Sequence, residues 1–437
     1  MSDASTSRNM SPQLRKVAER AKREPKAQFH SLAHLIDREA LARAFGRVRK
    51  DAAVGVDGVT KEQYGQNLER NLADLHERLR TQRYRHQPIK RVHIPKDKGK
   101  TRPIGIATIE DKIVEDAIRE VLETVYEQDF LVCSYGFRRG RSAHDAIRAL
   151  LGAMSAGEAS WILEADIVSY FDRVDRTALT EMLRDRVPDG SLMRLIGKCL
   201  RVGVLDGEEF SSPEMGTPQG SILSPLLGNV YLHHVLDLWF EREVKPRLVG
   251  RATLVRYADD LTIGFTHRED AERVMRVLEK RMGRFGLTLH PDKTRLLDFR
   301  RPGRSARRGP STFDFLGFTW RWTRTRKGTG WRVACETRSA RLTRSIKSIY
   351  EWCRGHRHRP VEEQRAALAR RIQGHMNYFA VSGNGRAITA LNHWARCAWF
   401  KWLRRRSNRW RLTWAKFNEL ARGLPQPRIM VRLWGRQ

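Results

Sequence analysis

Two short runs rich in β-branched and aromatic residues flank a tight acidic pair in Leu254-Val255-Arg256-Tyr257-Ala258-Asp259-Asp260-Leu261-Thr262-Ile263-Gly264-Phe265. The pattern predicts a β-hairpin with Ala258, Asp259 and Asp260 at or near its turn. Upstream, 161–168 reads as a mostly buried strand that carries one charge, Asp166, near its end. Other strands are expected at 89–95 and 104–106, around a basic Gly turn at 96–103, at 287–294 with a turn, and in the aromatic run 313–320. Apolar residues recur at helical spacing in 29–48, 64–79, 111–126, 146–154, 227–232 and 271–285, and again in 339–352, 361–379, 385–406 and 412–422. Strands therefore mix with helices up to about residue 335, and helices alone follow. The predicted class is α+β, with a basic extension at 1–30, a mixed region at 31–335 and an all-helical region at 336–437.

Composition narrows the partners. The 437 residues carry a net charge of +33, a field that concentrates polyanions. From 321 to 437 there are 28 Lys and Arg against 5 Asp and Glu, and nine of the twelve Trp. Basic residues interleaved with aromatics suit RNA through phosphate contacts and base stacking, and Arg404, Arg405 and Arg406 are the densest cluster. A basic surface over a Trp-rich core is the plainer alternative. No apolar run of about 18 residues occurs, so no membrane span is expected, and Met1 to Met10 lack the apolar core of a secretory signal. Five scattered cysteines (133, 199, 335, 353, 397) form no C-x-x-C pair, which favours a reducing bacterial cytoplasm and argues against zinc.

Two adjacent Asp side chains repel, so a divalent cation would relieve them. Hard oxygen ligands on a loop tip suit Mg²⁺. A solvated Asp-Asp turn is the ordinary alternative. If the 161–168 strand lies beside the hairpin, Asp166 joins the pair, and three carboxylates could hold two metals roughly 3.5–4 Å apart, as in phosphoryl transfer. The hairpin tipped with Lys96 and Arg102 suits a triphosphate by charge. Arg138 and Arg141, before a helix N-terminus, suit backbone phosphates. Gly220, in a Pro218-Gln219-Gly220 turn, would let backbone approach a ligand.

Tyr257-Ala258-Asp259-Asp260 resembles the YxDD box of reverse transcriptases, and Asp166 to Phe171 resembles their other catalytic block. Blocks at 134–144, 216–226, 287–294 and 313–320 follow in the order of that family. Ile372-Gln373-Gly374-His375-Met376-Asn377-Tyr378-Phe379 and Pro425-Gln426-Pro427-Arg428-Ile429 resemble the maturase X domain of group II intron proteins. The resemblance implies a right-hand polymerase: fingers and an antiparallel palm, then a helical thumb that binds intron RNA. It implies that Asp166 and Asp259 bind two Mg²⁺ with the Ile167 carbonyl, and that Asp260 supports them. It makes Phe171 a steric gate against a 2′-hydroxyl, Lys96 and Arg102 triphosphate ligands, Gln219 and Gly220 neighbours of the incoming nucleotide, and Lys293 a lysine near the site. The implied partners are an RNA template, a DNA or RNA primer, dNTPs and intron RNA. The resemblance does not extend to the zinc-containing endonuclease of some members. A splicing-only RNA binder and a reverse transcriptase recruited to host defence remain the alternatives.

Overall fold

A computed structural model describes residues 10–95, 101–207, 209–211, 215–218, 220–303, 305–306, 309, 311–325, 327–406 and 412–433. The chain begins with helices: Pro12–Arg23, Arg38–Arg47, Lys61–Gly65 and Leu68–Arg80. Ser11, Asp37 and Thr60 cap the first three through side-chain oxygens. The first two pack on the long helix Ile109–Asp129, most of whose length is buried, and Leu68–Arg80 packs on Arg38–Arg47 and pairs Arg78 with Glu110 of the long helix. The run expected at 64–79 is thus two helices, broken after Gly65.

Among the described residues, three sheets carry the rest of the α+β region. Strands β1 (Ile89–Pro95) and β2 (Thr101–Ile106) form the predicted basic hairpin, joined by short β4 (Val204–Asp206) and β5 (Glu209–Ser211) in the order β2-β1-β4-β5. The palm sheet contains β3 (Trp161–Ala165), β6 (Ala252–Tyr257), β7 (Asp260–Phe265) and β8 (Arg295–Asp298), ordered β6-β7-β3-β8 and antiparallel throughout. Helix Arg268–Arg284 packs on β3, β7 and β8, and helix Ala143–Ser155 packs on β6 and β7. The third sheet is β9 (Thr312–Phe315), β10 (Phe318–Arg324) and β11 (Trp331–Thr337) in the order β11-β10-β9. Its core is aromatic: Phe299, Phe313, Phe318 and Trp320 are all fully buried.

Several elements differ from expectation. The strand expected at 287–294 reduces to one bridge, Ile167 to Leu289, because the next paired strand starts only at Arg295. Helices Arg176–Arg186 and Gly190–Leu200 and strand β11 follow no pattern singled out above. In β11 Trp331, Val333 and Cys335 are buried and Arg332 and Glu336 half-buried, but Ala334 is apolar and buried as well, so no clean alternation marks the strand.

Among the described residues, four helices follow the third sheet: Ser339–Gly355, Val361–Phe379, Gly385–Arg404 and Trp414–Leu420. They enclose their own core, with Leu368, Ile372, Trp399, Leu403 and Phe417 fully buried. Of the described tryptophans on these helices, Trp399 and Trp402 are buried and Trp352 is half-buried, while Trp394 and Trp414 are 53% and 48% exposed. Among the described residues, no helix is long and apolar enough to cross a membrane.

Candidate active site

The acidic hairpin forms as its pattern requires. Tyr257 pairs with Asp260, which leaves Ala258 and Asp259 as a two-residue turn. Ala258 adopts φ 57°, a left-handed conformation costly for a residue with a Cβ. The neighbouring strand β3 runs antiparallel to β7 and pairs Ala165 with Leu261, so Asp166 emerges level with Asp260 and next to the turn. The backbone of Asp166 is fixed on its other side, where its carbonyl accepts from His290 N at 2.7 Å. Three carboxylates from distant parts of the chain thus reach the same end of one sheet.

Their electrostatics bear this out. The Asp259 carboxyl is pushed up, first by burial and then by the charge of Asp166, while Arg102 and Lys293 pull the other way. Asp260 opens onto the cleft, yet its carboxyl is pushed up to about 6 by lost hydration and by the charges of Asp259 and Asp166. Lys293 makes an ion pair with Asp166 and is itself largely exposed. Arg102, on β2 of the basic hairpin, is therefore close enough to act on Asp259. Lys96 and Gln219 lie outside the described residues.

The donor set is suited to a hard cation. Among the described residues, no three His, Cys, Asp or Glu side chains close around a single point. Asp166 and Asp260 line an open cleft with Lys293, which pairs with Asp166, and Asp259 stands in the adjoining turn. Mg²⁺ commonly takes one or two protein carboxylates and completes its shell from water and substrate phosphates, so the residues present fit it.

Neighbouring loops shape the cleft. Ser169, at φ 47°, turns the chain into the single-turn helix Tyr170–Arg173. Phe171 is half-buried there and lies against Tyr170 and the face of Gly228. Its carbonyl accepts from Thr217 N at 2.7 Å, which ties the loop at Thr217 to the segment that follows β3. Gly220 has φ 107°, and a Cβ there would overlap the carbonyl of Gly105 on β2. The side of Gly220 expected to admit a ligand is filled by the chain itself.

Arg138 requires a correction. It is 8% exposed, and its guanidinium is bound to Glu127 and to the carbonyls of Leu131 and Ser134. Its donors are turned inward, so it braces its loop and is not presented to RNA. Arg141 is half-buried over the Tyr135 ring. Arg404 and Arg405 are exposed at the end of helix Gly385–Arg404, over Phe400 and Trp402 respectively, and Arg406 follows them.

The largest omission of the sequence reading is Arg256, fully buried one turn of strand from the acidic pair and paired with fully buried Asp237. A lone charge in each of two apolar runs was the available signal, since a buried arginine demands a buried carboxylate.

A family profile described as reverse transcriptase (RNA-dependent DNA polymerase) matches residues 94–320. Protein YkfC of Escherichia coli K12 is 33% identical over 326 residues, which cover 66% of this chain and 84% of that protein. The group II intron-encoded protein LtrA of Lactococcus lactis is 36% identical over 187 residues, 41% of this chain and 31% of LtrA. The nuclear intron maturase 4 of Arabidopsis thaliana mitochondria is 29% identical over 140 residues, 32% of this chain and 17% of that protein. The chain thus spans most of YkfC but less than a third of the other two. With the palm, the acidic turn and these similarities together, the chain belongs to the reverse transcriptase family of RNA-dependent DNA polymerases and is related to proteins encoded by group II introns.

Proposed function

We propose that this chain extends a DNA or RNA primer with dNTPs on an RNA template, using two Mg²⁺, and that it also binds intron RNA to assist its splicing and mobility. The observation that carries the first reading is the convergence of Asp166 and Asp259 at one end of the sheet, where the charge of Asp166 and the cations Arg102 and Lys293 all act on Asp259. Asp166 and Asp259 would hold the ions, with the Ile167 carbonyl as a further oxygen. Divalent ions bound there would acidify the primer 3′-hydroxyl and neutralise the triphosphate. The chain's own part is to hold that charge pattern ready. Asp260 keeps the turn acidic without being a ligand, and Arg102 stands over the cleft to meet phosphate. Lys293, paired with Asp166, would give up that carboxylate to a bound cation. Phe171, held against Gly228 and Tyr170, presents a wall where a sugar 2′-hydroxyl would have to sit. Lys96 and Gln219 belong to the same nucleotide site by family resemblance.

The RNA-binding role rests on the basic, Trp-bearing helical region at 336–437, proposed as the thumb and maturase domain after fingers and palm at 31–335. Arg141 and the Arg404–Arg406 cluster are its proposed contacts.

Asp166→Ala with Asp259→Ala is expected to abolish cDNA synthesis while leaving intron RNA bound in a filter assay. Equal loss of both would overturn the separation of roles. Phe171→Ala is expected to admit ribonucleotides, measured as the ratio of rNTP to dNTP incorporation.

A further inference from the structure

We infer that Arg256 is a positioning residue: from inside the palm it sets the backbone of the Ala258–Asp259 turn and so aims the Asp259 carboxylate. The inference rests on the polymerase reading for the role of Asp259.

Guanidinium has five N–H donors in a rigid fork, and here all five are engaged. Nε and Nη2 bind the two oxygens of Asp237 at 2.8 and 2.6 Å. Nη2 also binds Ser134 Oγ at 2.8 Å. Nη1 binds Asn229 Oδ1 at 2.9 Å and the carbonyl of Ala258 at 3.0 Å. Neutralising a buried arginine takes only the carboxylate. The remaining bonds join separate pieces of chain, and the one to Ala258 reaches the catalytic turn. The Ala258 carbonyl lies in the same rigid peptide plane as the Asp259 amide. In a two-residue turn that carbonyl is outside the strand ladder and would otherwise face water. Fixing it fixes the direction in which Asp259 leaves the turn.

The surroundings act toward the same end. Arg256 N donates to Cys133 O at 2.8 Å and its carbonyl accepts from Tyr135 N at 2.9 Å, so the 133–135 segment flanks the outer side of β6. Asn229 Nδ2 donates to Gly136 O at 2.8 Å, and Gly136 lies against the backbone of Tyr257 and Ala258. Asn229 sits on helix Ser224–Leu232, which continues as a π-helical turn, His233–Asp237. In a regular α-helix, residues eight apart point roughly 80° from one another. The wider π turn brings Asp237 back toward the side of Asn229, so both meet one guanidinium; such turns often mark functional sites.

The test uses the full-length protein. Arg256→Lys keeps the charge facing Asp237 but cannot span both the carboxylate and the Ala258 carbonyl. Arg256→Met with Asp237→Leu removes the ion pair while keeping the core filled, a replacement that buried pairs often tolerate. For both variants kcat of primer extension is expected to fall about 10²-fold, as for a misplaced catalytic group. Mn²⁺ binding, followed by electron paramagnetic resonance with primer–template present, should weaken. Amide exchange at 257–261 should accelerate while β3 keeps its protection. Undiminished kcat and Mn²⁺ binding in either folded variant would overturn the inference, as would failure of both to fold, which would make the network a folding element. Should the parent protein incorporate no nucleotide, the polymerase reading fails, while the exchange data still decide whether Arg256 holds the turn.

Discussion

Gly136 shows how closely the acidic turn is packed. A Cβ at this position would overlap the nitrogen of Ala258 and lie 2.9 Å from the carbonyl carbon of Tyr257. Backbone cannot yield as a side chain can, so Gly136→Ala must shift the turn that carries Asp259. A displacement near 1 Å costs up to about 10²-fold in rate. We expect kcat for nucleotide addition to fall by about that factor with thermal stability only modestly lowered, checked by single-turnover incorporation alongside a melt. The same scale explains the fate of Arg138. Its charge and its place before a helix were legible, but not that Glu127 and two carbonyls would claim its donors.

At the level of elements, the β9–β10 connection has Leu316 and Gly317 at φ 52° and 78°, the two left-handed positions of a tight hairpin. Leucine is a costly choice there, and the turn is held from outside: Tyr378 of helix Val361–Phe379 donates its hydroxyl to the Leu316 carbonyl at 2.9 Å and stacks on Phe318. His144 bonds the Tyr378 carbonyl at 2.8 Å, which ties a third element to the same point. Tyr378→Phe is expected to cost about 1 kcal/mol of stability and to shorten the products made per binding event, measured by melting and by extension with a trap. The long helix Ile109–Asp129 has a different fastening. Burial alone would strip the His86 proton, but Glu115 and Asp111 more than reverse this and hold its pKa above the ordinary value. Glu115 also accepts from Ile222 N at 2.8 Å, just beyond the 216–220 loop. A raised histidine pKa contributes stability that is complete below about 6.5 and lost as pH rises through the folded value. The melting difference between the parent and His86→Gln should therefore be largest near pH 6 and shrink toward pH 9.

At the scale of the whole molecule, the +33 charge is a statement about partners rather than fold. Most acidic side chains on helix Ile109–Asp129 are already matched by arginines, as in Arg47 with Asp116 and Glu120. A little over half of the excess lies on the helical region, where Arg354, Arg357 and Arg405 all stand within 6 Å of the Trp402 ring. RNA affinity should thus be dominated by counterion release and fall on the order of 10³-fold between 50 and 200 mM salt for a footprint of about six or more phosphates. A slope near zero in a filter-binding titration would count against this surface.

The sequence by itself determined the local pieces: an acidic two-residue turn between alternating strands, a charge at the end of a third strand, and a basic helical region with a core at helical spacing. Each depends on periods and turn chemistry written within a few residues. Tertiary structure alone decided what those pieces do together. Antiparallel pairing of β3 with β7 set Asp166 level with the turn, and a π-helical segment carried Asp237 to Arg256. Gly105 filled the side of Gly220, and Glu127 took Arg138 out of reach. These outcomes hang on partners from 11 to more than a hundred residues away, or on a few degrees of helical winding, and no local period encodes either.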